Sequence, residues 1–247
     1  MTQTTVKNNL KVVIICGPPG AGKGTQAELL KEKFDFYHFE TSRIIEAALN
    51  SNEAEEITIN GETFYYAEER RKFSSGELNT PAVVSFWVKK KIKELVEQNK
   101  SLVFSGSPRT LFEADQLFPA ILEFFAKENI YVFELMVAPQ VSIDRNTHRR
   151  ICSSCRLPHQ QNYHKDICKK CGNSLVTRGS LDTESVIKKR LEEFTARTKP
   201  AVFRAKEYEL GLYSVDGARD ELSVFSDICR KCSLCPEIQL PVEIEQN

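Results

Sequence analysis

The chain has 247 residues, 41% of them hydrophobic, enough to bury the core of one domain carrying insertions. Its 34 basic and 34 acidic side chains cancel to a formal net charge of zero, which argues against bulk attraction to nucleic acid or an anionic membrane and leaves anion binding to local clusters. The opening MTQTTVKNNL has no apolar core for a secretory signal, no stretch approaches a membrane span, and every cysteine but Cys16 sits in a C-x2-C pattern, so a reducing, cytoplasmic setting is expected.

The first element is Val12–Cys16, an apolar and mostly β-branched run of the kind buried on both faces of a parallel sheet. It breaks into Gly17-Pro18-Pro19-Gly20-Ala21-Gly22-Lys23-Gly24-Thr25. The glycines permit a tight turn with amides pointing inward. The following helix, with Ala27, Leu30 and Phe34 on one stripe, aims its positive end at that turn, and Lys23 adds a full charge suited to β- and γ-phosphates. The spacing satisfies G-x-x-x-x-G-K, with Gly24 in the usual Ser/Thr place and Thr25 one position later.

Tyr37–Phe39 reads as a second strand, and Thr41 or Ser42 as the cap of a helix through Ile44, Ile45 and Leu49. Residues 51–61 are acidic and turn-rich, a predicted surface loop before a helical patch at 65–73 that Ser74-Ser75-Gly76 closes. Pro81 suits the first turn of a long helix with Val84, Trp87, Val88, Ile92, Leu95 and Val96 on its apolar stripe. Leu102–Phe104 is the next buried strand. It ends in Ser105-Gly106-Ser107-Pro108-Arg109-Thr110, a polar loop at the strand edge where open α/β sheets bind ligands. A helix over 111–127 leads to a strand at 131–137. Pro139 then opens a helix on which Arg145 and Arg149, four apart, share a face. After a cysteine-bracketed segment, Asp182 is the expected cap of a helix turning Ile187, Leu191 and Phe194 inward beside Arg190, and a strand at 212–215 precedes a terminal helix. Five short strands alternating with helices predict an α/β fold, a five-stranded parallel sheet with helices on both faces. Two insertions, after the second and fourth strands, would overhang the phosphate loop.

Cys152-x2-Cys155 and Cys168-x2-Cys171 have the spacing of two metal knuckles, predicting a closed tetrahedral site for structural zinc. Four thiolates satisfy the metal, so His159 and His164 are read as hairpin residues. Arg145, Arg149, Arg150 and Arg156 invite a nucleic-acid reading, which the zero net charge and the lack of an aromatic-basic surface disfavour. Cys229, Cys232 and Cys235 echo an iron-sulfur run without its fourth cysteine and are read as thiols on or near the last helix; Cys16 is read as a small core residue.

Taken in order, these motifs resemble the adenylate kinase family of nucleoside monophosphate kinases. GPPGAGKGT is similar to its signature loop, FSSGELNTP to the segment closing its monophosphate-binding insertion, and SGSPRT to its D-G-F-P-R-T motif. DRNTHRRICSSC resembles the start of its lid and DTESVIKKRLEEF the helix that leaves it, with one residue more between Arg178 and Arg190 than is usual. The resemblance implies a P-loop NTPase fold with a core at 1–39, 79–147 and 182–247, a monophosphate-binding insertion at 40–78 and a zinc lid at 148–181. It implies reversible transfer of the γ-phosphoryl group of ATP to a nucleoside monophosphate, AMP by default, with magnesium, by a monomer. Gly17 to Thr25 would hold the donor phosphates. Lys23, Arg109, Arg145, Arg149, Arg178 and Arg190 would neutralise charge, with Arg145 also packing on the adenine of ATP. Thr41, Arg43, Leu78, Gly106, Arg109 and Glu113 would line the acceptor site. Such transfer needs positioning and charge neutralisation more than a strong base, and arginine's planar fork suits phosphate oxygens.

Four residues depart from the pattern. Glu46 stands where the family places an arginine on the acceptor phosphate, so Arg43, a turn earlier, is expected to reach it instead. Glu113 replaces a glutamine that reads adenine; an ionised carboxylate only accepts, which keeps GMP or another acceptor base open. Ser105 replaces an aspartate that orients magnesium and its waters, and Ser107 a pocket phenylalanine, which keeps open a nucleotide-binding protein of little activity.

Overall fold

The computed structural model describes residues 9–51, 55–75, 77, 79–155, 157–159, 163–177 and 179–234. Leu78, Arg178 and Cys235, named above, lie outside these residues, as do Gly76 and Arg156.

β1 (Val12–Cys16) is buried along its whole length at the centre of a five-stranded parallel sheet. α1 (Lys23–Phe34) leads to β2 (Tyr37–Phe39) and α2 (Thr41–Asn50). β3 (Glu56–Ile59), β4 (Glu62–Tyr65) and α3 (Tyr66–Ser75) precede the long α4 (Pro81–Glu97). β5 (Leu102–Phe104), α5 (Leu111–Leu122), β6 (Ile130–Met136) and α6 (Pro139–Thr147) follow, then the small strands β7 (Arg150–Cys152), β8 (Pro158–His159) and β9 (Leu175–Thr177). α7 (Glu184–Glu193), α8 (Lys199–Phe203), β10 (Gly211–Asp216) and α9 (Glu221–Lys231) complete the chain. The main sheet runs β10-β6-β1-β5-β2, with Ile14 beside Phe104 and Cys16 beside Glu134.

Two-residue periodicity splits β1 between two cores. Val12, Ile14 and Cys16 face a cluster with Trp87, Phe104, Phe118 and Ile121, while Val13 and Ile15 face Leu30, Phe133 and Phe225. Burying such side chains contributes about 1.5–3 kcal/mol each, so a run of five interior residues anchors the loop that follows.

Several expectations are corrected. The predicted loop at 51–61 contains half a hairpin. β3 and β4 pair antiparallel through a turn in which Asn60 (φ 52°) and Gly61 (φ 86°) both take the left-handed conformation that an Asn-Gly hairpin turn needs. α2 begins at Thr41 itself, after Glu40, with no side-chain cap; the Thr41 hydroxyl meets Ser107 instead, 3.0 Å away. On α4 it is Val83, more than Val84, that is buried. The helix from Leu111 ends at Leu122, because the amides of Phe124 and Phe125 both turn back to the Ile121 carbonyl and bury the two rings. Thr183, not Asp182, precedes α7. A π-helical turn at Phe194–Thr198 then rotates the helical face, leaving Ile187 buried and Leu191 and Phe194 half-buried.

Candidate active site

The loop between β1 and α1 is fixed by close backbone approach. A Cβ on Gly17 would lie 2.6 Å from the Leu135 carbonyl oxygen, and one on Gly20 (φ +73°) 2.5 Å from Asn146 Nδ2. Gly22 takes the position before α1, Ala21 is buried, and Gly24 and Thr25 lie in the first helical turn. The chain folds back so that the Ala21 amide donates to the Pro18 carbonyl at 3.2 Å. α6 braces the loop from outside: Ser142 Oγ donates to the Pro19 carbonyl at 2.6 Å. Arg145 donates through Nη1 to the carbonyls of Gly20 (3.2 Å) and Gly217 (2.7 Å), and through Nη2 to Ala218 (3.0 Å). Its guanidinium thus ties the loop to the turn after β10.

Lys23 reaches back over the loop, its ammonium donating to the carbonyls of Gly17 (2.9 Å) and Pro18 (2.8 Å). Burial depresses it to about 8; Cys16 opposes that shift, and the charges of Arg109, Arg190 and Arg149 add to it. Four cations therefore converge on one loop, and an anionic ligand relieves their mutual repulsion.

Two of these cations are held by a residue whose role the sequence did not suggest. Asp182, 7% exposed, takes Arg149 in a forked pair (Nη2 to Oδ1 2.9 Å and to Oδ2 2.8 Å) and lies 3.7 Å from Arg190 Nη1. Arg149 follows α6 and Arg190 lies on α7, so one carboxylate gathers arginines from both ends of the cysteine-bearing segment.

Arg109 donates through Nε to the Gly106 carbonyl at 2.7 Å, and its backbone amide donates to Glu113 Oε2 at 2.9 Å. The Glu113 amide in turn donates to Thr110 Oγ1 at 3.2 Å. Thr110 thus caps α5, and Glu113 reaches past the cap to the amide of Arg109 before it, an arrangement related to the capping box whose T-x-x-E signal is legible in the sequence. Thr198 Oγ donates to the Arg109 carbonyl at 3.2 Å, joining this loop to the helical turn that follows α7. Arg43 is exposed and ion-paired with Glu40, one turn away on its own segment. Glu46 is exposed.

His38 and Glu28 belong to the same region, though no sequence motif marks them. His38 Nε2 lies 2.6 Å from Ser105 Oγ, and Nδ1 lies 3.0 Å from Glu28 Oε1. The other Glu28 oxygen accepts from Lys170 at 3.1 Å, which also pairs with Glu32 at 3.1 Å. This contact docks the cysteine-bearing segment on α1 beside a cleft of about 420 Å³, lined among others by Thr25, Tyr163 and His159. That volume falls in the range of small-molecule sites.

The Sγ atoms of Cys152, Cys155, Cys168 and Cys171 lie within 4.8 Å of one another. Cys152 to Cys171 (3.3 Å) and Cys155 to Cys168 (3.6 Å) are well beyond the ~2.05 Å of a disulfide. The amides of Ser154 and Cys155 each point at Cys152 Sγ from 3.4 Å, and that of Lys170 at Cys168 Sγ from 3.4 Å. Asn173 donates to Cys171 Sγ, which holds that thiol down to about 6. Four converging sulfurs with amide donors fit a zinc tetrathiolate. β7, between β8 and β9, carries the first knuckle. His159 is buried against the Tyr163 ring, 4.6 Å between centroids, outside the four-sulfur set. Cys229 and Cys232 lie in the core, where burial pushes both thiols up to about 12; Cys16 is pushed up likewise. Among the described residues no helix is long and apolar enough to cross a membrane.

A family profile described as adenylate kinase matches residues 15–208. The chain is 32% identical over 224 residues to an adenylate kinase of Syntrophomonas wolfei, covering 89% of this chain and 97% of that protein. It is 32% identical over 221 residues to an adenylate kinase of Clostridium acetobutylicum (87% and 96% covered), and 31% identical over 220 residues to one of Clostridium botulinum strain Loch Maree (87% and 95% covered).

Proposed function

We propose a residue-level mechanism from the premise that this chain belongs to the adenylate kinase family and is a nucleoside monophosphate kinase, a phosphotransferase acting on a phosphate group. ATP is the donor and AMP the acceptor. The observation that carries the proposal is the convergence of Lys23, Arg109, Arg149 and Arg190 on the loop from Gly17 to Gly22. Transfer of a γ-phosphoryl group spreads negative charge over its oxygens, and preorganised cations stabilise that charge without reorganising.

Each residue has a part in this scheme. Loop amides and Lys23 hold the donor phosphates, and Arg145, already spanning the loop and the turn after β10, supports the donor base. Arg109 takes the acceptor phosphate from a loop that Glu113 and Thr110 fix. Asp182 aims Arg149 and Arg190 at the group in transit. Magnesium, bound with ATP, supplies charge neutralisation at the phosphates, and the hydroxyl oxygens of Thr25 and Ser105 suit a hard cation. Zinc in the four thiolates supports the lid and takes no part in chemistry. Closure of the lid and the 40–78 segment excludes water, and the protein acts as a cytoplasmic monomer in nucleotide supply.

The geometry of Glu113 favours AMP over GMP. Its Oε2 serves the cap on Arg109, leaving Oε1 as the unshared acceptor, enough for the exocyclic amine of adenine. Guanine's two adjacent donors would have to share the capped oxygen. A diphosphate-formation assay across AMP, GMP, CMP and UMP with ATP and magnesium tests this. The expected result is turnover of AMP first, falling at least about 100-fold in Lys23→Ala. A GMP preference overturns the acceptor assignment; turnover that survives Lys23→Ala overturns the mechanism.

A further inference from the structure

The sheet edge beside the phosphate loop carries a three-residue chain of hydrogen bonds from three separate elements: Glu28 on α1, His38 on β2 and Ser105 directly after β5. Burial works against the Glu28 carboxylate, but the hydrogen bonds from His38 and Lys170 outweigh it and keep the group below its usual range, hence ionised and only accepting. His38 Nδ1 must then donate to Glu28 Oε1 across 3.0 Å. In the neutral ring this leaves Nε2 as an acceptor, so across 2.6 Å it is Ser105 Oγ that donates. The Ser105 proton is spent on the side facing His38, and its oxygen presents lone pairs elsewhere.

That polarity selects the ligand. A phosphate oxygen also only accepts and would be repelled by such a serine, whereas a water on a cation donates. Ser105 sits at a strand end next to β1 and its phosphate loop. It follows Phe104, which pairs in register with Ile14 of β1, and it opens the loop whose Arg109 acts on Lys23. P-loop enzymes organise magnesium at this kind of strand end.

We propose that Ser105, with its proton committed to His38, is a purely accepting oxygen that takes a water of the divalent cation accompanying the donor nucleotide, and that His38 and Glu28 are the positioning residues that make it so. The inference rests on the donor nucleotide binding at this loop, as the mechanism above assigns. A neutral hydroxyl reaches the electron-rich character of a carboxylate through the chain behind it. Because Glu28 also pairs with Lys170, docking of the lid and orientation of His38 share one carboxylate.

The test joins spectroscopy, calorimetry and rescue. Long-range nitrogen–proton spectra of His38 should show Nδ1 protonated and Nε2 bare; the opposite tautomer overturns the proposal. Calorimetry gives ATP affinity with and without magnesium. The gain that magnesium brings should fall about 5- to 10-fold in His38→Ala and in Ser105→Ala, and no further in the double variant, since the residues act as one unit. Ser105→Asp carries its own charged acceptor, so it should restore the gain in the His38→Ala background, an effect that a merely structural histidine would not produce. His38→Gln serves as the second variant should His38→Ala fail to fold. An undiminished magnesium gain in a folded His38 variant, failure of the aspartate to rescue, or a phosphate found on Ser105 by mass spectrometry after incubation with ATP would each overturn the assignment. Wild-type monophosphate turnover is measured separately, so loss of the kinase mechanism and loss of this inference are distinguishable.

Discussion

Lys23 shows how one residue records its surroundings. Burial and three nearby arginines depress its pKa from the usual 10.5 to about 8, so the folded chain gives up this proton more readily than the unfolded one and is penalised for carrying it below pH 8. Stability therefore rises as pH climbs from about 8 towards 10.5. A polyphosphate reverses the pressure, since an opposite charge favours the ammonium. ATP binding near pH 8.5 should take up a proton, and affinity should fall as pH rises through about 8. Calorimetry in two buffers of different ionisation enthalpy reads the uptake directly, and buffer-independent heats would contradict it. The same residue in an exposed turn would carry its proton throughout this range. Asp182 is the opposite case, an acid whose burial is tolerable because two arginines neutralise it.

Among the elements, the join between α3 and α4 depends on Glu69. This carboxylate is 2% exposed and accepts from Asn79 Nδ2 (2.9 Å), the Thr80 amide (2.9 Å), the Thr80 hydroxyl and Lys72 (3.0 Å). Desolvation raises its pKa, but the bonds from Thr80 and Asn79 prevail and bring it to about 2 from 4.5. The stability it adds is present in full above about pH 4.5 and is lost as pH falls towards 2. Glu69→Ala removes the acceptor of the Thr80 amide and hydroxyl, of Lys72 and of one Asn79 bond, and should cost about 3 kcal/mol in urea unfolding at pH 7. The cost should shrink in acid; an equal loss at pH 7 and pH 2.5 would place the effect elsewhere. Thr80 stands just before Pro81, so the same carboxylate fixes the entry of the long helix that closes one core.

At the scale of the molecule, the sheet and the cysteine-bearing segment are built on different principles. Among the described residues of 150–177, none belongs to either core cluster. That segment has short strands and a four-thiolate centre in place of a hydrophobic interior. Removing zinc with a chelator should raise hydrogen exchange across 150–177 while the far-ultraviolet signal of the α/β core persists, and metal analysis should find about one zinc per chain. Loss of core structure together with the metal would show that the segment is not separately supported. The Lys170 pairs with Glu28 and Glu32 dock it on α1, so loosening this segment also loosens a contact that runs through Glu28 and His38 to Ser105.

The glycine loop, the alternating strands and helices and the two cysteine knuckles were legible in the sequence because each depends on neighbours a few residues away. Local spacing determines backbone approach, helix polarity and thiolate geometry. The Asn60-Gly61 hairpin and the Thr110 cap, with Glu113 three residues on, carried local signals of the same kind, one inside an acidic turn-rich run and the other at a residue that also suits base reading. What only the tertiary structure decided was the partner of each carboxylate: Asp182 with Arg149 and Arg190, Glu69 with Thr80, and Glu28 with His38 and Lys170. The physical reason is that a carboxylate can serve as a surface solubiliser, a cap or a buried counter-ion. Which of these it becomes depends on the donors that chain topology brings within about 3 Å of it, and residue spacing along the sequence does not encode them.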